Sequence, residues 1–224
     1  GVGYVAAPPA QGVSLDAISF TLNGRHVEER HVSPTTTLLE YLRLHAGLTG
    51  AKEGCAEGDC GACSVAILDV DAHGGPSWRA VNSCLVLLPM LQGKTVVTVE
   101  HLAAGNTPHP AQEALVQRLG SQCGFCTPGV VMSMFEACYR KDLDEPWKLD
   151  DQMCGNLCRC TGYKPIREAA AAVAGTAPQD TFGAALSQAR SQPMTLAYAS
   201  SGQQYFNPTS VEQLGSLLAA HPTA

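Results

Sequence analysis

Ten cysteines are bunched along this 224-residue chain, and their spacing is the first clue to its chemistry. Cys55, Cys60 and Cys63 form a C-x4-C-x2-C triplet, and Cys84 follows alone further along. This is the spacing of plant-type 2Fe–2S ligation, in which a triplet of thiolates comes from one tight loop and the last from a distant segment. Such a loop must turn backbone N–H groups toward a negatively charged, thiolate-held cluster. Gly54, Gly58 and Gly61 suit that need, because glycine reaches positive φ without a Cβ penalty. Structural zinc prefers paired knuckles on both halves of its site, which a triplet with a remote single cysteine does not provide.

A second set lies downstream. Cys123 and Cys126 stand as C-x2-C, Cys158 and Cys160 as C-x-C, and Gly124, Gly129, Gly155 and Gly162 open the backbone beside them. Each pair is expected beside a helix end, so that antiparallel helices bring the pairs together. By spacing alone this set suits an iron–sulfur cluster or zinc. Cys138, in helical register with Met134, reads as a small buried hydrophobe. Bunched cysteines without a convincing secretion signal point to metal ligation in a reducing compartment, and hence to the cytoplasm, rather than to disulfides.

The elements that must position these residues follow from periodicity and turn chemistry. Ile18, Phe20 and Leu22 alternate with polar residues, Asn23-Gly24 is a hairpin signal, and Val27 and Val32 continue the pattern. A capping box at Thr37–Glu40 opens a helix with Leu38, Leu39 and Leu42 on one stripe, closed by Gly47. Strand, strand, helix is the opening of a β-grasp ferredoxin-like fold. After the cysteine loop, strands are expected over 64–68, 78–88 and 94–99, with a turn at 71–75. From about His101 the chain reads helical. Helices are expected over 111–119, from Thr127-Pro128 as N-cap and first helical residue, from a cap at Asp150 or Asp151, and from Pro165. Residues 175–203 have linker composition. A second capping box, Thr209–Glu212, opens a helix whose Val211, Leu214, Leu217 and Leu218 form an apolar face that one helix cannot bury alone. The fold class is therefore α+β: a ferredoxin domain over 15–99, a four-helix domain over 100–174, a linker over 175–203, and the start of a further domain over 204–224.

Composition narrows the function. Net charge is −6 with no Lys/Arg cluster, which leaves a phosphate backbone no docking surface, so no nucleic acid is expected. No run reaches the ~18 apolar residues of a membrane span. Residues 1–12 lack a basic start and are broken by Pro8 and Pro9, so they read as a disordered leader rather than a signal peptide. The seven histidines stand at no suggestive spacing from a carboxylate or serine and read as surface residues. Asp142, Asp144 and Glu145 read as a solvated loop. No phosphate-cradling glycine loop is present.

Two further segments carry a resemblance. Gln122-Cys123-Gly124-Phe125-Cys126-Thr127-Pro128-Gly129 and Gly155-Asn156-Leu157-Cys158-Arg159-Cys160-Thr161-Gly162-Tyr163 resemble the signature segments of the molybdenum hydroxylase (xanthine oxidase) family, and Lys52 to Cys63 resembles its xanthine dehydrogenase branch. The resemblance covers about 17–174 and the segment from Tyr205 onward, where Tyr205-Phe206-Asn207-Pro208-Thr209-Ser210 is similar to the opening of the family's flavin domain.

It implies two 2Fe–2S clusters, one held by Cys55, Cys60, Cys63 and Cys84 nearer the flavin, the other by Cys123, Cys126, Cys158 and Cys160 nearer a molybdopterin. Cys154 is left out as a ligand, and no catalytic residue is expected on this chain. It implies that Gln122 approaches the pterin, which a large partner subunit binds, within a hetero-oligomer. The implied function is the electron-transfer subunit of a xanthine dehydrogenase, relaying electrons from molybdopterin to FAD and then NAD during hypoxanthine or xanthine hydroxylation. The implied alternative is aldehyde or N-heterocycle oxidation by the same family. A zinc-stabilised interaction module and an iron–sulfur redox sensor are the rivals from outside it.

Overall fold

The computed structural model describes residues 13–70, 75–189 and 195–222. The expected leader, most of the 71–75 turn and part of the expected linker lie outside the described residues. The elements in chain order are β1 (Val13–Leu15), β2 (Ile18–Leu22), β3 (Arg25–Glu29), α1 (Leu38–Glu40, continued by a wider turn Tyr41–His45), β4 (Ser64–Val70), β5 (Pro76–Asn82), β6 (Thr95–Val97), α2 (Pro110–Gln117), α3 (Thr127–Tyr139), α4 (Pro146–Met153), α5 (Lys164–Val173), α6 (Thr181–Gln188), β7 (Leu196–Ser200), β8 (Gln203–Asn207) and α7 (Val211–Ala220).

The first sheet has the order β3-β2-β6-β4-β5. β2 and β3 are antiparallel across the turn at Asn23 and Gly24, both at positive φ, while β2 and β6 run parallel. Alternation in β2 buries Ile18, Phe20 and Leu22 against Leu38 and Leu42 of the first helix, with Val65, Leu88, Leu91 and Val96 completing this core. Thr37 accepts the Glu40 N–H and so caps that helix, which is the Thr37 half of the expected box.

The opposite face of the sheet is covered too. Ala66 and Trp78 point away from the first core and into a second one built on α3, where Val131, Met134, Phe135 and Cys138 are buried. Trp78 packs edge-on against Phe135 and Phe182, and its Nε1–H donates to the Phe182 carbonyl. Glu136 of α3 accepts the Ala80 N–H at 2.8 Å, satisfying a donor on the outer strand β5 that would otherwise face no partner. The helical region is thus welded to the sheet.

Several boundaries differ from the sequence expectation, for local reasons. The strand expected over 78–88 ends at Asn82, because the chain turns so that the Ser83 hydroxyl can donate to the Cys63 carbonyl, and Leu88–Leu91 forms a 3₁₀ turn. The strand expected over 94–99 is confined to Thr95–Val97. Cys126, not Thr127, occupies the cap of α3. Asp150 and Asp151 lie inside α4, whose start is set by Pro146 in its first turn. Ser210 caps α7 by accepting the Gln213 N–H, one residue later than the expected box.

The stretch expected as a linker, 175–203, is largely structured. Asp180 caps α6 by accepting the Gly183 N–H, and Phe182 is buried in the helical core. His109, expected on the surface, is buried. Its Nδ1 accepts the Ala111 N–H, its Nε2 lies 3.0 Å from the Tyr139 hydroxyl, and that hydroxyl donates to Asp180 at 2.6 Å. This network suits the neutral Nε2–H tautomer. Burial pulls the His109 pKa below its ordinary value and outweighs the opposing attraction of Asp180. A depressed pKa means that, as pH falls through about 6.5, the unfolded chain takes up the proton before the folded one. Stability should therefore decline on acidification in that window. His109→Gln should flatten this part of a melting-temperature profile recorded between about pH 7.5 and 5.5.

The tail adds a second sheet, β1-β7-β8, in which β1 pairs parallel with β7. Tyr198 of β7 inserts into the first core, 2% exposed, and its hydroxyl donates to the Val32 carbonyl. Tyr198→Ala should loosen the 196–220 unit by about 3 kcal/mol, whereas Tyr198→Phe, which loses one hydrogen bond, should cost about 1 kcal/mol. Limited proteolysis should release the tail from the alanine variant first. α7 has no buried residue, and Val211, Leu214 and Leu218 of its apolar face are exposed.

Candidate metal centre

The first cysteine loop leaves α1 and returns into β4. Within it the Asp59 and Cys60 N–H groups donate to Cys55 Sγ at 3.3 and 3.4 Å. Backbone N–H groups of Glu57, Cys60 and Asp59 bring the Cys55 thiol down to about 7, favouring thiolate. Gly58 at φ +84 and Gly61 at φ +67 give the turns that aim those donors inward. Cys84, placed where β5 ends, brings its sulfur 3.5 Å from that of Cys63. Burial, then the Cys63 contact, pushes the Cys84 thiol up to about 11. Asn82 Nδ2–H donates to the Gly58 carbonyl, and Leu85 lies over Gly58.

The second set gathers between α2 and α3 and between α4 and α5, as the helix-end expectation requires. Cys123 and Cys160 are within hydrogen-bond reach, and so are Cys126 and Cys158. At Cys158, burial raises the pKa but is outweighed by bonds from Thr161, Cys160 and Cys126, leaving it at about 7. Tyr163, at φ +67, turns its hydroxyl back to accept the Cys158 N–H. Cys123 and Cys160 are exposed while Cys158 is buried. Gln122 is exposed beside Cys123. Cys138 is fully buried in α3, and Cys154 is exposed at the end of α4.

The sulfurs thus come in pairs: Cys55 with Cys60, Cys63 with Cys84, Cys123 with Cys160, and Cys126 with Cys158. Among the described residues no three His, Cys, Asp or Glu side chains close on one point as a single ion would need. A pair of thiols for each of two metal atoms is the arrangement a 2Fe–2S group asks for. The soft sulfur donors and inward N–H groups suit it as well. A Cβ on Gly54 would lie 2.8 Å from Cys60 Sγ, so that position must stay bare.

Residues 20–88 match the family described as a 2Fe-2S iron-sulfur cluster binding domain, and residues 98–171 match the 2Fe-2S binding domain. Among solved structures, quinoline 2-oxidoreductase from Pseudomonas putida 86 aligns with TM-score 0.59 and 32% identity, covering 77% of this chain and 96% of its own. The chain belongs to the molybdenum hydroxylase family. It is an iron–sulfur portion of that family. Aldehyde oxidoreductase from Desulfovibrio gigas aligns with TM-score 0.60 and 32% identity, over 70% of this chain and 16% of that one. The xanthine dehydrogenase of Blastobotrys adeninivorans is 48% identical over 68% of this chain, and aldehyde oxidase 2 of Cavia porcellus is 46% identical over 68%. The chain spans only 11% and 12% of the length of those molybdenum hydroxylases. No helix among the described residues is long and apolar enough to cross a membrane.

Sequence reasoning missed how the two cysteine loops meet. The Leu157 N–H donates to the Cys60 carbonyl at 3.0 Å, and Asn156 Nδ2–H donates to the Gly61 carbonyl at 3.1 Å. Both partners lie inside the cysteine motifs of the sequence, but nothing local pairs them.

Proposed function

We propose that this chain is the electron-transfer subunit of a xanthine dehydrogenase. In this reading Cys55, Cys60, Cys63 and Cys84 hold one 2Fe–2S cluster, and Cys123, Cys126, Cys158 and Cys160 hold the other. Electrons from a molybdopterin centre on a large partner subunit pass to FAD and then NAD while a purine is hydroxylated. The observation that carries it is the direct contact of the two cysteine loops, in which one hydrogen bond links the carbonyl of Cys60 to the residue preceding Cys158. A 2Fe–2S group accepts and releases single electrons; the chain's residues set where and how readily this happens.

Their environments differ. Cys63 and Cys84 are buried, which excludes water from one side of the first site, whereas Cys123 and Cys160 are exposed. Hydrogen bonding and solvent access to the sulfurs tune potential, so the two sites are expected to differ. Exposed Cys123, Cys160 and Gln122, with Phe125 and Tyr163 half-exposed beside them, mark the face that the molybdopterin subunit would cover. Gln122 can donate to and accept from a pterin edge at once. At the other end, the β7–β8–α7 unit with its uncovered apolar face is read as the start of the flavin domain, which would then begin at about Leu196 rather than at the expected 204, while the limits 15–99 and 100–174 are kept and α6 of the expected linker goes with the helical core. The complex would be a cytoplasmic hetero-oligomer.

The purine reading draws on the 48% identity to a xanthine dehydrogenase; the aldehyde oxidase and quinoline oxidoreductase relatives favour aldehyde or N-heterocycle oxidation as the second reading. Purification with the partner subunit, followed by iron and acid-labile sulfide counts, EPR of the reduced protein, and assays with xanthine and with an aldehyde, tests both. About four irons per chain and two distinct reduced signals are expected, with NAD reduction on xanthine. A colourless zinc protein would remove the relay, and turnover of aldehyde without xanthine would move the chain to the second reading.

A further inference from the structure

We propose that Asn156 is a positioning residue, which together with the bare contact of Gly61 and Gly129 sets the separation of the two cysteine sets. The proposal rests on the ligation reading above. The loops come from different domains yet touch backbone to backbone. A Cβ on Gly61 would stand 2.2 Å from the Gly155 carbonyl oxygen and 2.6 Å from Asn156 Nδ2, and one on Gly129 would stand 2.1 Å from the Gly61 carbonyl oxygen. The close neighbours at both positions include main-chain atoms, which cannot swing aside as a flexible side chain could. Gly61 has a second reason to be glycine, its φ of +67. Gly129 has none: it sits in the first turn of α3 at ordinary helical φ, where alanine would be the better helix former. Its missing side chain is explained by the approach of the other loop alone.

Asn156 closes the joint. It is 5% exposed, and its Nδ2–H donates to the Gly61 carbonyl while its buried Oδ1 has no partner among the described residues. Turning the amide over would set Oδ1 against the Gly61 oxygen, acceptor against acceptor, so the carbonyl dictates the orientation. An orphaned buried acceptor costs stability and is uncommon in native proteins. A residue kept only for packing would satisfy both ends or be apolar. Here one end is committed to the opposite cysteine loop, two residues before Cys158 and one after Cys60. The Leu157 N–H to Cys60 carbonyl bond runs beside it as the second tie.

The test uses the reduced holoprotein in its full complex. Two paramagnetic clusters held at a fixed short separation split each other's EPR lines at low temperature, and the splitting reads the separation. Asn156→Asp keeps the shape, but its carboxylate cannot donate to the Gly61 carbonyl. Gly129→Ala forces the loops apart sterically. Both variants should retain full iron and sulfide and both cluster signals, with the mutual splitting diminished or lost. Cys154→Ser, at the exposed end of α4, should leave the splitting unchanged. Should Gly129→Ala fail to accumulate, Asn156→Asp carries the test alone. Unchanged splitting in Asn156→Asp with both clusters present overturns the proposal, as does a wild type whose two clusters show no splitting. Absence of one cluster from the wild type would instead overturn the ligation reading on which it rests.

Discussion

Serine in place of Cys158 is expected to erase one of the two reduced iron–sulfur signals while leaving the other, with iron falling from about four to about two per chain. Cys158 is buried, its sulfur lies 3.2 Å from Thr161 Oγ1 and within reach of Cys126, and its own N–H is held by Tyr163. An alcohol there has a shorter bond to its hydrogen, a far higher pKa than a thiol held near 7, and a harder donor atom. Cys55→Ser should erase the complementary signal, because it removes the sulfur that collects the Asp59 and Cys60 N–H bonds. Cys138→Ser should leave the iron count unchanged: its sulfur is fully buried within α3 and belongs to none of the four sulfur pairs. Loss of iron in the Cys138 variant, or loss of both signals in either ligand variant with the fold intact, would contradict the assignment of the two sets.

Trp78→Ala is expected to be the most damaging substitution outside the cysteines. The indole is 2% exposed, joins β5 to α3 and α6 through Phe135 and Phe182, and donates its N–H to a buried carbonyl. Removing it opens a cavity at the weld of sheet and helices, at a cost of about 3–5 kcal/mol. The melting temperature should fall by about 10 °C. Trp78→Phe, which keeps most of the volume and loses the N–H bond, should fall by much less. Because β5 ends two residues before Cys84 and Cys126 caps α3, the alanine variant should also lose iron from both sites on mild heating. Equal melting of wild type and alanine variant would show that α3 and the sheet are not held together here.

Much of this was legible in the chain. Alternation in Ile18, Phe20 and Leu22, the Asn23-Gly24 turn, the Thr37 cap and the helical spacing of α3 are local signals, and each appears where it was expected, although α3 is buried on every side from Gly129 to Tyr139. Where local signals competed, boundaries moved. Asp150 is a good cap by type, but Pro146 begins α4 first, so Asp150 is spent on an ion pair with Arg167. Residues 175–203 have a linker's composition, yet one aromatic, Phe182, finds the pocket between Trp78 and Phe135 and folds α6 onto it. His109 gave no sign of burial because its partners Tyr139 and Asp180 lie far along the chain.

By itself the sequence determined two bunched sets of cysteine, the glycines beside them that let the backbone turn, and the 2Fe–2S spacing of the first set. Spacing carries that information because ligands in one loop are constrained by the few residues between them. Only the tertiary structure decided which sulfurs pair, that Trp78 joins the sheet to α3 and α6, and that the Cys60 and Cys158 loops touch through Gly61, Gly129 and Asn156. Those contacts join residues as much as 104 positions apart. No periodicity spans such a distance, and the packing of whole elements against one another sets the approach.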